Sequence, residues 1–164
     1  MTSARTAPKD GFLVKLVTNP VSTWLIRTIC SPLDPLVMRA TNGRFSTMGP
    51  TGQSMITLTM TGRRSGKPRS IQLTSIEHLG DRLVVASAMG SERHPAWRYN
   101  LEANADVEVQ AVGERYRARA EMLSDDEKGA IWDEFREQVP MIRVYERRTD
   151  RNIRVFRIRR AETD

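Results

Sequence analysis

The residues with the clearest chemistry lie in a short cationic turn at residues 61–69, which reads Thr-Gly-Arg-Arg-Ser-Gly-Lys-Pro-Arg. The turn holds four cations and no acid. The runs on either side, residues 55–60 and 70–75, are rich in Ile, Leu, Thr and Ser and predict two paired strands, which places the cations at a hairpin tip. The glycines let backbone N–H groups approach an anion closely, and the arginines add forked donors for phosphate or carboxylate.

A solvated hairpin loop has the same composition, and the turn alone leaves both interpretations open. A P-loop is excluded, because the Gly-Lys pair is followed by Pro68 and not by the Ser or Thr that opens a helix in that motif.

The net charge of +6 is distributed unevenly along the chain. Residues 75–142 carry fourteen acids against eight cations, whereas residues 143–160 carry eight cations against two acids. A nucleic-acid binder usually interleaves aromatic residues with its cations for base stacking, and the cationic turn has none. A nucleic-acid partner is therefore not expected.

Several catalytic schemes lack the residues they need. His78 and His94 have no Cys, His or carboxylate at ligand spacing, so no metal site is predicted. The Gly-x-Ser-x-Gly motif of many serine hydrolases is missing. The single cysteine, Cys30, lies among apolar residues and is predicted to fill the core. The acids at residues 125–127 are explained by a helix that begins with a capping box at Ser124.

The elements that must position the turn are those of an α+β protein. We expect a single domain over residues 1–164, with a helical N-terminal prelude at residues 1–50 and a core at residues 51–160. The core pattern predicts the cationic hairpin, an apolar strand at 82–88, a short helix opened by Pro95, a second hairpin around Gly113, a longer helix ended by Pro140, and a last strand at 153–158. A small antiparallel barrel closed by its last strand is the simplest architecture.

The prelude carries short apolar stretches at helical spacing over residues 11–43, each too short to be stable alone. Two alternatives follow: these helices pack over the barrel and its pocket, or they insert into an anionic membrane beside the cations that accompany them. No run approaches the ~20 apolar residues of a membrane span, and no signal peptide is evident. A cytoplasmic location is expected, with peripheral attachment to the inner face of the membrane as the alternative.

A cofactor site is predicted where small residues end the apolar strand. Ala86, Ser87 and Ala88 leave room for a planar ring against backbone amides, and Trp97 offers a flat wall. An arginine hairpin would then hold an anionic tail. This combination favours a dinucleotide-like or flavin-like redox cofactor, for which the protein supplies orientation and electrostatics.

Five motifs in a fixed order resemble the deazaflavin-dependent nitroreductase family. They are the cationic turn at 61–69, Asp-Arg-Leu-Val-Val-Ala-Ser at 81–87, His-Pro-Ala-Trp at 94–97, Asn-Leu-Glu-Ala-Asn at 100–104, and Arg-Thr-Asp-Arg at 148–151. The resemblance implies a split β-barrel of the flavin-reductase type, with N-terminal helices and a long helix before the last strand. It also implies coenzyme F420, a deazaflavin whose tail carries a phosphate and a glutamate chain.

Carried over position by position, the resemblance implies three groups of cofactor-binding residues. The tail would be bound by Thr59, Arg63, Arg64, Ser65, Gly66, Lys67 and Arg69. The ring would lie against Ala86, Ser87, Ala88 and Met89, and the pocket would be completed by Ala96, Trp97 and Arg98.

The resemblance further implies hydride transfer from the reduced deazaflavin to a small apolar or lipid-like substrate, such as an activated alkene, an enone or an acyl chain. Nitroreduction is less expected, because nitroimidazole-reducing members carry several tyrosines after the long helix and only Tyr145 remains here. Ala88 also replaces a serine near the ring. Tyr145 is the candidate proton donor, and a packed phenol is its alternative role.

The sequence is also compatible with a function that is not enzymatic. The apolar prelude, together with four arginines at helical spacing, would also suit a lipid-binding or membrane-apposed protein with weak or no deazaflavin use. Those arginines are Arg143, Arg147, Arg148 and Arg151.

Overall fold

The computed structural model describes residues 31–41, 44–46, 49–50 and 55–161. In chain order its elements are α1 Ser31–Ala40, β1 Phe45–Ser46, β2 Gly49–Pro50, β3 Met55–Thr61, β4 Pro68–His78, β5 Asp81–Val85, a 3₁₀ turn Ala88–Gly90, α2 Ala96–Ala103, β6 Asp106–Ala111, β7 Glu114–Met122, α3 Asp125–Gln138, α4 Ile142–Glu146 and β8 Val155–Arg160.

Strands β3 to β8 form a closed antiparallel barrel in the order β3-β4-β5-β8-β7-β6. Strands β3 and β6 pair with each other, with Thr57 opposite Gln110 and Met60 opposite Val107. The last strand, β8, lies between β5 and β7. Closure leaves none of these six strands with a free edge. The predicted α+β barrel closed by its final strand is confirmed.

Alternation along the strands fills the barrel with apolar side chains. Ile56, Leu58 and Met60 of β3 point inward, and Trp97 enters the same core from α2. A second apolar cluster lies outside the barrel wall, where α3 covers it; its buried members are Ile76, Leu83, Leu123, Ile131, Phe135 and Val155.

Helix α3 begins with the predicted capping box. The Glu127 amide donates to Oγ of Ser124 at 3.2 Å, and the Ser124 amide donates to Oε2 of Glu127 at 2.9 Å. Three acids occupy its first turn, where they face the positive end of the helix dipole. The helix ends at Gln138, two residues before Pro140, and the short helix α4 that follows was not predicted from the sequence. An ion pair of 2.9 Å between Arg136 and Glu146 fastens α4 to α3.

Two features differ from the sequence-based expectation. The strand predicted at 82–88 ends at Val85, because Ala88 and Met89 adopt φ values of +48° and +56° that are incompatible with a strand. In the segment expected to be helical, β1 pairs with β2 through Phe45 opposite Pro50. The last of the predicted helical stretches is present as α1, and the stretches before residue 31 lie outside the described residues.

Candidate functional site

The cationic turn is a compact unit held by its own backbone. The Gly62 amide donates to the Lys67 carbonyl at 2.9 Å, and the amides of Ser65 and Gly66 donate to the Gly62 carbonyl at 3.1 and 2.8 Å. Gly66 has a φ of +64°. A Cβ atom on Gly62 would lie 2.8 Å from Oγ of Ser65. The turn therefore requires both glycines.

The cations of this turn are exposed and have no partner of opposite charge among the described residues. Arg63, Arg64, Lys67 and Arg69 are all solvent-exposed. Over the described ranges, none of them forms an ion pair with a carboxylate. At the base of the hairpin, the hydroxyls of Thr59 and Ser70 form a hydrogen bond of 2.8 Å. The hairpin tip is thus a concentrated positive charge available to an anion.

The hairpin tip is fastened to α2. The Arg63 amide donates to Oδ1 of Asn100 at 3.1 Å, and the Arg63 guanidinium lies 4.9 Å from the centroid of the Tyr99 ring. Arg98 approaches the same ring at 5.1 Å and is itself paired with Glu102 at 2.6 Å. The Tyr99 ring is therefore close to two guanidinium groups, a favourable cation–π arrangement.

Beyond β5, the chain turns through an unusual backbone conformation. Ala88, Met89 and Gly90 have φ values of +48°, +56° and +78° in succession. A left-handed conformation costs a residue with a Cβ on the order of 1 to 2 kcal/mol, so two such residues in a row must be held in place by their surroundings. Strain of this kind tends to occur at ligand sites.

Arg151 is the main group that holds this loop, residues 86–91. Its guanidinium donates from Nε to the Ser91 carbonyl at 2.7 Å, from Nη1 to the Ala86 carbonyl at 2.9 Å, and from Nη2 to the Ser87 carbonyl. Nη1 also lies 3.2 Å from Nδ1 of His94. One side chain thus binds three carbonyl groups of one loop.

On the side facing away from Arg151, the loop presents backbone amide groups. Ser87 is in the right-handed helical region and Ala88 is in the left-handed region, a sequence of conformations that makes successive N–H groups converge into an anion-binding nest. The amides of Ser87, Ala88 and Met89 donate no hydrogen bond to the part of the chain that the structure describes. All three residues are partly exposed. The nest can therefore accept electronegative atoms of a ligand.

His94 links the loop to the hairpin. Its ring stands edge-on to Tyr99 with a centroid distance of 6.2 Å. Burial, followed by the nearby Arg98 and Arg151 charges, lowers the pKa of His94, so the neutral form with Nδ1 as acceptor is favoured. Contacts run without a break from Arg63 through Tyr99 and His94 to Arg151. The cationic tip and the loop are therefore connected to each other through Tyr99 and His94.

Comparisons with known proteins identify the family of this chain. The sequence model of a family described as F420H(2)-dependent quinone reductase matches residues 35–159. The chain belongs to this family. An F420H(2)-dependent quinone reductase of Mycobacterium tuberculosis (strain H37Rv) is 32% identical over 141 residues, which are 82% of this chain and 95% of that protein.

Two solved structures agree with this membership. One, a structure of an F420-H2 dependent reductase, shares 34% identity with a TM-score of 0.59, over 65% of this chain and 94% of that chain. Another, described as a domain-swapped dimer, shares 30% identity with a TM-score of 0.61, over 78% of this chain and 99% of the other. The predicted family of F420-binding split-barrel oxidoreductases is confirmed. The chain is an F420-dependent reductase, and its cofactor is coenzyme F420.

Some of the residues that were predicted to bind the cofactor lie on the surface of the reductase, and others lie in its core. Ser87, Ala88 and Met89 form the nest, and Ala96 is exposed at the start of α2. Ala86 and Trp97, in contrast, are 0% and 7% exposed and belong to the barrel core, where Trp97 lies 5.7 Å from the Phe156 ring. The structure gives Ala86 a role through its carbonyl, which accepts from Arg151.

Tyr145 of the reductase lies in α4, next to the loop. Its side chain is 8% exposed, and its hydroxyl donates to Sδ of Met141 at 3.7 Å. Burial raises the pKa of the phenol, with a smaller opposing effect of Arg148, so the hydroxyl is a weaker acid than that of a free tyrosine. The Tyr145 carbonyl would lie only 2.8 Å from a Cβ on Gly90, which shows how closely α4 packs on the loop.

Among the four arginines after α3, Arg143, Arg147 and Arg148 are exposed, whereas Arg151 is partly buried. Arg148 donates to the Met89 carbonyl at 3.4 Å, Arg151 binds the carbonyls of the loop, and Arg143 donates to the Arg136 carbonyl at 3.5 Å. Among the described helices, none has both the length and the apolar character needed to cross a membrane.

Sequence reasoning missed several residues of this site. The sequence analysis assigns no role to Tyr99, Asn100 or His94 and gives Arg151 only a contact with lipid in the alternative function. His94, Asn100 and Arg151 nevertheless lie within the motifs that carry the family resemblance. The sequence feature that could have identified His94, Asn100 and Arg151 is their position within those motifs.

Proposed function

We propose that this chain uses reduced F420 to reduce a quinone or a related electron-poor enone. The observation that carries the proposal is the joint presence of exposed cations without carboxylate partners in the described chain and a nest of amides that donate no hydrogen bond within it. Tyr99 and His94 connect these two segments. The first suits the phosphate and glutamate groups of the tail, and the second suits the electronegative edge of the deazaflavin ring.

In this proposal, Arg63, Arg64, Lys67 and Arg69 bind the tail. Arginine binds phosphate and carboxylate oxygens through two parallel donors, whereas lysine acts as a point charge. The contacts of Arg63 with Tyr99 and Asn100 fix the position of the hairpin tip relative to α2. The tail is thereby held at a defined distance from the ring site.

The nest at Ser87, Ala88 and Met89 orients the ring. Backbone amides that are already in place can stabilise negative charge as it develops on a bound group, without rearrangement at the moment of reaction. The small side chain of Ala88 leaves space for a substrate above the ring. It also adds no polar group there, in keeping with an apolar substrate.

The substrate class follows from chemistry and from the relatives. A quinone contains the enone unit that is expected from the sequence. The two Mycobacterium tuberculosis relatives that are 32% identical to this chain are named quinone reductases. One hydride, which bound reduced F420 supplies, and one proton together convert a quinone into its hydroquinone. Tyr145 is proposed as the source of that proton, because it carries a phenol on a helix that packs directly on the loop at Gly90.

The test is an anaerobic reaction of the purified full chain with reduced F420 and a soluble quinone, followed by the returning absorbance of oxidised deazaflavin. Cyclohexenone and a nitroimidazole serve as competing substrate classes, and reduced flavin mononucleotide serves as the competing donor. We expect fast turnover with F420 and the quinone, slower turnover with the enone, and little with the nitro compound. A chain that binds F420 and yet reduces none of the acceptors would contradict the proposal.

A second candidate, binding to a membrane surface, is favoured by one observation. Leu33, Leu36 and Phe45 are 48%, 66% and 49% exposed on α1 and β1. Such apolar exposure suits shallow insertion or delivery of a lipid-soluble quinone.

Vesicle sedimentation with anionic lipid separates this candidate from a purely soluble enzyme. Leu36→Glu should abolish sedimentation, whereas Leu79→Glu, at a turn where the leucine is 92% exposed, is the control and should leave it unchanged. Equal behaviour of the two variants, or no sedimentation of the parent, would exclude membrane binding through α1.

A further inference from the structure

We propose that Arg151 is a positioning residue, which sets the conformation of the loop at residues 86–91 and so aims the nest amides at the deazaflavin ring. The identity of the bound ring rests on the proposed function, whereas the role of Arg151 in the loop rests on the geometry of its hydrogen bonds. Arg151 does not itself belong to the predicted binding residues.

The first step is the direction of the peptide groups. In a trans peptide the carbonyl and the following N–H point in opposite directions. Because the carbonyls of Ala86 and Ser87 point at Arg151, the N–H groups of Ser87 and Ala88 must point away from it. The Ala88 carbonyl accepts from the Ser91 amide at 3.0 Å, which directs the Met89 amide outward in the same way.

The second step is the strain that must be overcome. Ala88 and Met89 would not keep a left-handed conformation without a constraint, since each carries a Cβ. Arg151 donates hydrogen bonds on both sides of the strained residues. It binds the carbonyls of Ala86 and Ser87 before them and the carbonyl of Ser91 after them. The loop is therefore clamped across its strained segment.

The third step is the charge. Within the described residues no carboxylate pairs with Arg151, so its positive charge remains behind the nest. An arginine stays protonated under ordinary conditions. Donation to a carbonyl polarises the peptide group, which strengthens the N–H on its other side as a donor. Arg151 thus both directs the amides and makes them better donors.

Lysine should not replace this function. A lysine keeps the charge but presents one compact ammonium, whereas the planar fork of arginine reaches carbonyls at separate points of the loop. Arg151→Lys therefore separates the geometric role from the charge. The matched control is Arg157→Lys: Arg157 is 22% exposed and pairs with the carboxylates of Asp81, Glu121 and Glu127, without contact to the loop.

The first measurement needs no ligand. In the free full chain, the backbone amide resonances of residues 87–90 should shift in Arg151→Lys and exchange with solvent at a changed rate, and they should coincide with the parent in Arg157→Lys. If the loop resonances of Arg151→Lys also coincide with those of the parent, Arg151 does not set the loop and the inference is wrong.

The second measurement uses F420 and a tail-less deazaflavin that carries the ring and a ribityl chain only. Arg151→Lys should bind the tail-less compound about tenfold more weakly or worse, and the absorption band of the bound ring should move, because ring contacts are lost. Arg157→Lys should lower the unfolding temperature without either effect. Unchanged ring affinity and an unchanged band in Arg151→Lys would overturn the aiming role.

Failure of the proposed function has a different signature. A parent chain that binds neither F420 nor the tail-less compound would contradict the proposed function and the aiming of amides at the ring. The amide resonances would still decide whether Arg151 sets the loop.

Discussion

Gly90 and Arg148 lie so close together that no side chain fits between them: a Cβ on Gly90 would be 2.7 Å from Cβ of Arg148. Gly90 also has a φ of +78°. The nest and the segment after α4 therefore meet through a glycine backbone, and the position of α4 is coupled to the shape of the ring site.

Gly90→Ala should for this reason destabilise the fold and weaken F420 binding. Gly113→Ala is the control, since Gly113 has a similar φ of +77° but nothing within 4 Å of its added Cβ. The control should lose about 1 to 2 kcal/mol of unfolding free energy from backbone strain alone, and Gly90→Ala should lose more and bind F420 at least about tenfold more weakly. Urea unfolding and fluorescence titration provide the two values. Equal losses in both variants would mean that the contact with Arg148 adjusts at no cost.

The cationic tip yields a prediction about selectivity for the tail. Arg64→Ala and Arg69→Ala should each weaken binding of F420 by on the order of 1.5 to 3 kcal/mol, the value for hydrogen bonds to charged groups. Binding of the tail-less deazaflavin should not change, and neither should unfolding, because both arginines are exposed. Arg117→Ala, an exposed cation on β7, is the control and should affect neither ligand. If the two tip variants bind F420 like the parent, the turn is only a solvated loop.

Local patterns in the sequence were sufficient to predict the barrel and the cationic hairpin. Alternating strands, Gly113 in the second hairpin and the Ser124 capping box all act within a few residues, so their geometry is encoded locally. The end of the apolar strand was predicted wrongly, at 88 in place of Val85. Alanine and methionine give no local sign of a left-handed turn; that turn is imposed by distant groups.

The contacts that organise the site connect residues far apart in the sequence. The Arg63–Asn100 hydrogen bond spans 37 residues, and the Arg151–Ala86 hydrogen bond spans 65. Neither periodicity nor composition encodes such pairs. The family motifs carried Asn100 and Arg151 in the correct order, but a role for them required the fold.

His94 makes the site sensitive to acid. Its pKa is lowered by burial first, and then by charged neighbours, so the folded state disfavours its protonation. The charges acting on it are Arg98, Arg151 and Arg154, which lower the pKa, and Glu102, which raises it. Because the folded-state pKa lies below the ordinary value, the stability contributed by neutral His94 is complete above about pH 6.5 and is lost as the pH falls through the folded pKa.

Unfolding free energy should therefore fall more steeply on acidification in the parent than in His94→Gln, between about pH 7.5 and 5. Binding of the tail-less deazaflavin should weaken over the same interval, because protonated His94 can no longer accept from Arg151. His78→Gln, which removes the histidine bound to Glu134, is the control and should retain the acid sensitivity due to His94. Parallel pH profiles for the parent and His94→Gln would show that His94 does not titrate against this site.

Tyr145 provides the last prediction, which concerns the proton that accompanies the hydride. If its hydroxyl donates that proton, Tyr145→Phe should lower turnover with a quinone by about 10²-fold or more, the usual size of a general-acid contribution, while F420 binding stays the same. Folding should change little, because the hydroxyl loses only a weak contact to sulfur.

Tyr99→Phe is the matched control, since its ring between Arg63 and Arg98 is preserved and only the phenolic oxygen is removed. Unchanged turnover in Tyr145→Phe would leave water as the proton source and give Tyr145 a packing role in α4. Loss of turnover in Tyr99→Phe with normal turnover in Tyr145→Phe would instead assign the proton to the phenol on α2.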